Sequence, residues 1–190
     1  IQDRKVLRYI GKKYITARRE MGFLVPSKGY EYATIKGHKC AIIVGDDLSR
    51  ERDFDQSVET VISINARKYG KGTMTYRYEM MRNLAFVESK NLVLFNQVGG
   101  STDIVYDGTS GALNSRGELV LMMKNFEEDF QIFDTKASAR PITIPSTYND
   151  RTRLVYEAAR CGLRDFFRKN GYRKAVSYTH LRAHETDQYL

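Results

Sequence analysis

The sequence predicts a layered α/β fold in which a β-sheet is covered by helices on one face. Three observations carry that expectation. Short β-branched runs bounded by turn residues open the chain, a longer segment with helical apolar spacing follows, and a buried strand then leads into several short meandering ones.

Taken in order, residues 30–35 (YEYATI) and 39–44 (KCAIIV) are expected as strands joined at Gly37-His38, a hairpin signal. A charged, turn-rich stretch runs from Gly45 to Gln56, and residues 59–64 (ETVISI) make a third strand ending at Asn65. Met74, Tyr78, Met81 and Ala85 recur at helical spacing, which predicts an amphipathic helix over 74–89. Residues 91–95 (NLVLF) are a buried strand, followed by a turn at Gly99-Gly100. Strands are expected over 103–106, 110–114, 118–123 and 129–134, separated by Asp107-Gly108, Arg116-Gly117 and an acidic stretch. Pro141 and Pro145 mark 136–149 as an extended linker. A second helix starts after Asp150 as N-cap, with a stripe of Val155, Ala159, Gly162 and Phe166, and stops at Asn170-Gly171. After a linker, that helix is expected to open a second domain.

Composition bounds the function. The chain has 190 residues, 42% hydrophobic and 28% charged, which excludes disordered and fibrous classes. No apolar run approaches the roughly 18 residues of a membrane span, so no membrane partner is expected. Two cysteines and three histidines make a disulfide framework or zinc domain a poor fit and suit a reducing, cytoplasmic setting. The net charge of +8 is concentrated in residues 1–39, where ten basic residues face three acidic ones, a net of +7. Such a block suits phosphate backbones, and a basic nucleic-acid-binding module is a remote alternative. It lacks a zinc-finger, helix-turn-helix or RNP pattern, so no nucleic-acid partner is expected. The first residue, Ile1, is not Met, which places the start partway through a longer reading frame.

The tail is set apart. Residues 176–186, VSYTHLRAHET, resemble a translated sequencing adapter, so 176–190 is expected to be non-native. His180, His184 and Glu185 have metal-ligand spacing there, but as an accident of the adapter. Gly70-Lys71-Gly72-Thr73 is superficially like a phosphate loop, yet the P-loop spacing is wrong, and a turn into helix 74–89 is the plainer reading. Adjacent Asp46 and Asp47 are either an acid/base pair or, more plainly, acceptors of backbone N–H groups at a strand end.

Four segments together carry a resemblance. Lys5 is followed nine residues on by Tyr14 and thirteen on by Arg18; strand 39–44 runs into Gly45-Asp46-Asp47-Leu48; strand 59–64 ends in Asn65-Ala66 with Gly70-Lys71 after it. The longest segment is Asn91-Leu92-Val93-Leu94-Phe95-Asn96-Gln97-Val98-Gly99-Gly100, then Asp103, then Tyr106-Asp107-Gly108-Thr109-Ser110. This resembles the nitrilase-type glutaminase (amidase) domain of glutamine-dependent NAD+ synthetase. Gly162-Leu163-Arg164-Asp165-Phe166 and Lys169-Asn170-Gly171-Tyr172 resemble that family's approach to its synthetase domain.

The resemblance implies a four-layer α-β-β-α sandwich, truncated at its N-terminal end. It divides the chain into an amidase-like portion (1–135), the linker (136–149) and the start of an ATP pyrophosphatase-type synthetase domain (150–175). The family's chemistry is attack of a cysteine thiolate on the glutamine side-chain amide, with a glutamate base and a lysine that stabilises the oxyanion. The ammonia then amidates nicotinic acid adenine dinucleotide to NAD+ at the expense of ATP. The catalytic lysine maps to Lys5 and the nucleophile to Gly45, where the thiol is absent. A second family glutamate maps to Thr16, and the general base would precede Ile1. Cys40 does not substitute: it lies five residues back, about 17 Å along a strand and on the opposite face. Asn96 and Gln97, at the end of a buried strand, are candidates to hold a substrate amide. No cofactor is expected in this stretch; ATP and Mg2+ belong to the synthetase domain, and the family implies a homo-oligomer. The alternative is a catalytically degenerate scaffold or oligomerisation domain beside an ammonia-using synthetase half.

Overall fold

The computed structural model describes residues 6, 9–15, 21–50, 54–135, 140–174 and 176. Eight strands and two helices follow one another as β1 (Glu31–Ile35), β2 (His38–Val44), β3 (Thr60–Asn65), α1 (Thr73–Glu88), β4 (Asn91–Asn96), β5 (Val98–Ser101), β6 (Ile104–Asp107), β7 (Gly111–Leu113), β8 (Leu119–Met122) and α2 (Arg151–Asn170). Six strands form one sheet in the order β1-β2-β3-β4-β7-β8, and β5-β6 is a separate hairpin. The strands β2, β3 and β4 are parallel neighbours, with Ile43 beside Ser63 and Ser63 beside Leu94. Parallel strands need a crossover, and α1 supplies the one between β3 and β4.

Alternation along the strands sends Ala41, Ile43, Val61, Leu92, Leu94 and Leu113 to the face that α1 covers. The expected stripe of Met74, Tyr78, Met81 and Ala85 is buried against it. The sheet's other face carries Ile42, Ile62 and Val93, with Ile64 and Phe95 each 49% exposed. Of the four layers expected, the described residues supply this sheet and its helix layer. The apolar second face is the one on which a second sheet packs in such a sandwich.

The α2 helix begins where Asp150 accepts a hydrogen bond from the Arg153 N–H at 3.0 Å and ends at Gly171 in the left-handed conformation, both as expected. Its buried face differs from the expected stripe. Ala158, Cys161 and Asp165 face inward, while Val155 is 60% exposed and Phe166 is also exposed. The reason is backbone proximity: a β-carbon at Gly100 would stand 3.0 Å from the Gly162 Cα, so the docking face takes small residues. The helix seats on the β5-β6 hairpin through Leu154, Ala158 and Cys161, which cluster with Phe126, Tyr69 and Val105.

Two further expectations are corrected. Gly99-Gly100 is part of β5 and not a turn; the chain reverses at Thr102–Asp103. Residues 129–134 form no strand, and Phe130 and Ile132 are exposed.

Candidate functional site

In open sheets with parallel strands, binding sites form beyond the carboxyl ends of the strands. Val44, Ile64 and Phe95 lie side by side across β2, β3 and β4, so Gly45, Asn65 and Asn96 share that edge. Gly45 begins a 3-10 turn, Gly45–Ser49, and has φ +65°, a conformation in which a side chain is strained. The point where its β-carbon would stand lies 3.3 Å from Lys12 Cε and 3.5 Å from Lys12 Nζ. The lysine's charged end therefore rests on the seat that a residue-45 side chain would fill.

The segment bearing Lys12 is held by several contacts. Asp47, only 4% exposed, accepts the Lys13 N–H on Oδ2 at 2.7 Å and the Tyr14 N–H on Oδ1 at 2.8 Å. The Ser27 N–H donates to the Lys12 carbonyl at 2.9 Å. The Lys13 ammonium sits 4.3 Å from the centre of the Tyr30 ring. For Asp47 the plainer sequence reading holds: it serves as an acceptor of backbone N–H groups.

Asn96 lies two strands from Gly45, about 10 Å away. Its amide is engaged internally. Oδ1 accepts the Arg67 N–H at 2.8 Å, and Nδ2 donates to Asp107 Oδ1 at 2.8 Å and to the Arg67 carbonyl at 3.3 Å. Gln97 is exposed and lines a cleft of about 560 Å³ between β5 and α2, with Glu127, Arg164 and Lys169 among its walls. The structure thus brings neither Asn96 nor Gln97 together with Lys12 and Gly45. Lys5, Thr16, Arg18, His180, His184 and Glu185 lie outside the described residues.

Behind Asn96 stands a pair that the sequence reading missed. Arg77 on α1, 1% exposed, donates from NH2 to both Asp107 oxygens, at 2.9 and 3.1 Å, and from NH1 to the Gly108 carbonyl at 3.1 Å. Burial pushes the Asp107 carboxyl above its usual value, and the guanidinium pulls against that. The signal was available: Arg77 falls on the face of Met74, Tyr78 and Met81, where a charge requires a buried partner. No comparable signal singles out Lys12 from the other cations of its block.

Neither thiol reaches the seat. Cys40 stands at the start of β2 and Cys161 on α2; both are buried, and burial pushes both above the ordinary thiol value. Among the described residues, no cluster of three or more His, Cys, Asp or Glu is arranged for a metal, and no helix is long and apolar enough to cross a membrane. At Gly70–Thr73 the Thr73 hydroxyl turns back to donate to the Gly70 carbonyl at 2.8 Å, closing a turn and leaving no phosphate cradle. The edge therefore offers a cation suited to a developing oxyanion or thiolate, and among the described residues no thiol stands beside it.

Comparison with known proteins places the fold. The chain aligns with a solved glutamine-dependent NAD+ synthetase from Acinetobacter baumannii, with a TM-score of 0.69 at 23% identity over 88% of this chain and 34% of that one. It also aligns with a CN-hydrolase superfamily protein from Xanthomonas campestris, with a TM-score of 0.55 at 14% identity, covering 64% of this chain and 49% of that one. The fold is that of the carbon–nitrogen hydrolases. In sequence, the chain is 27% identical over 154 residues to the glutamine-dependent NAD(+) synthetase of Acinetobacter baylyi, covering 77% of this chain and 28% of that relative. The chain thus spans about a third or less of the length of the curated relatives it matches. No protein-family model matches it. Its relatives are synthetases, and the nitrilase-type resemblance read from the sequence stands.

Proposed function

We propose that this chain is the amidase-fold portion of an NAD+ synthetase, a carbon–nitrogen ligase that amidates nicotinic acid adenine dinucleotide with ATP. The observation that carries the reading is Gly45: at the carboxyl end of β2, with Lys12 resting on it, in a chain whose relatives are glutamine-dependent NAD(+) synthetases. In this reading ATP and Mg2+ belong to the synthetase portion, which α2 approaches, and glutamine or ammonia supplies the nitrogen.

In a thiol-dependent amidase, the sulfur adds to the amide carbonyl, the oxyanion is stabilised by a cation, ammonia leaves with a proton, and water releases the acyl group. Here the cation is present and the sulfur is not. Gly45 favours a second form of the reading, in which the amidase fold is a scaffold and the synthetase half takes free ammonia.

The test is NAD+ formation by the protein encoded by the complete reading frame, with glutamine or an ammonium salt as nitrogen source. Formation with ammonium and not with glutamine is expected. Comparable formation with glutamine overturns the scaffold form, and formation with neither source overturns the synthetase reading.

A further inference from the structure

Asp47 has a task at this edge that its place in a turn does not explain. Its two carboxylate oxygens are divided between consecutive peptide N–H groups, those of Lys13 and Tyr14, from a segment more than thirty residues away. The carboxylate is buried, so losing it would leave both N–H groups without these acceptors. Lys12 immediately precedes the clamped pair. Its carbonyl is held from the other side by the Ser27 N–H, and its side chain lies toward Gly45.

We propose that Asp47 is a positioning residue: by clamping the backbone of Lys13 and Tyr14, it holds the Lys12 ammonium against the seat at Gly45. This rests on the reading of Gly45 as the nucleophile's seat. Asp47 touches neither the seat nor a reacting atom in this role; it acts through Lys12.

A thiol introduced at the seat reports the position of the cation, because a nearby ammonium lowers a thiol's pKa. The chain carrying Gly45→Cys is titrated by its rate of iodoacetamide alkylation against pH, read on the residue-45 peptide by mass spectrometry. A free cysteine titrates near 8.5, and the introduced thiol is expected below that. Adding Lys12→Met should raise its midpoint by about one unit or more. Adding Asp47→Ala should raise it by a similar amount, with no further rise when both are present.

The sign is what discriminates. If Asp47 acted only through its charge, removing it would lower the thiol midpoint; a fall, or no change, overturns the proposal while leaving the effect of Lys12 intact. No effect of Lys12→Met overturns the reading of the seat itself. Should Gly45→Cys fail to fold, the rate of Lys12 acetylation in the otherwise unaltered chain gives the same answer. Asp47→Ala is expected to speed it several-fold, Asp47→Asn, which keeps one acceptor oxygen, to speed it less, and an unchanged rate in Asp47→Ala overturns the proposal.

Discussion

Lys12 Nζ lies 3.5 Å from the point at which Gly45 would carry a β-carbon. A long cationic side chain thus covers a left-handed glycine at the end of a parallel strand, the position proposed above for the nucleophile. The geometry is selective about substitution. A β-carbon at position 45 meets the far end of a flexible lysine, which gives way by a few tenths of an ångström, and the larger cost is the backbone angle.

Gly45→Ala is therefore expected to destabilise the chain by about 1–2 kcal/mol, the cost of placing an L-residue in the left-handed region. For a chain of this size that corresponds to a fall in Tm of roughly 2–8 °C. Thermal unfolding followed by circular dichroism measures it. An unchanged Tm would show that the backbone relaxes out of this conformation at no cost.

Arg77→Met leaves the Asp107 carboxylate buried without its partner and should cost about 3–5 kcal/mol. Adding Asp107→Leu should recover most of that loss, because replacing both members of a buried pair by apolar groups is often close to neutral. Denaturant unfolding of the two variants decides it. A double variant as unstable as the single one would contradict the pairing as described.

Much of this fold was legible in the sequence, for physical reasons. The β1-β2 hairpin followed from two short runs around Gly37-His38, though the turn falls one residue earlier, at Lys36-Gly37, and α1 from an apolar stripe that is buried as expected. The ends of α2 followed from Asp150 and Gly171, whose cap chemistry is local. The misreadings occurred where tertiary contact overrides local pattern. Gly99 and Gly100 have turn-like composition, yet they are small because a helix lies against their strand. The docking face of α2 is one residue out of phase with its larger apolar side chains, which are left in solvent. The place of Gly45 at the end of a buried strand was legible. The contact of Lys12 with it was not, because one cation in a basic block is chemically like the next until the chain is folded.

The joint between α2 and β5 yields a contrast between two glycines. An alanine β-carbon at Gly100 would meet backbone, the Gly162 Cα at 3.0 Å, whereas one at Gly162 would meet only a methyl group of Val105 at 3.0 Å. Gly100→Ala is expected to cost about 1–3 kcal/mol through overpacking. Gly162→Ala should lie near neutral, since the side chain yields and alanine gains about 1 kcal/mol of helix propensity. Equal effects of the two on thermal unfolding would contradict the close backbone approach.

Asp165 closes the same joint, accepting the Gly100 N–H at 2.7 Å while Lys169 donates to the Gly100 carbonyl. The neighbouring Arg164 guanidinium, 2.9 Å away, holds the Asp165 carboxyl below its ordinary value. Because the folded value is the lower one, this contribution is complete above the unfolded carboxylate value near 3.9 and is lost as pH falls through the folded value. Protection of the Gly100 amide from hydrogen exchange, corrected for intrinsic rates, should be flat from neutral pH to about 5 and decline below about 4. The decline should be absent in Asp165→Asn. Protection that rises on acidification would contradict the assignment.

The central proposal is that residue 45 is the nucleophile's seat, with the Lys12 cation beside it and no thiol there. Conversion of glutamine to glutamate by the complete, unaltered protein measures this most directly. The expected result is a rate no higher than that of buffer at every glutamine concentration. Saturable turnover that iodoacetamide abolishes would contradict it.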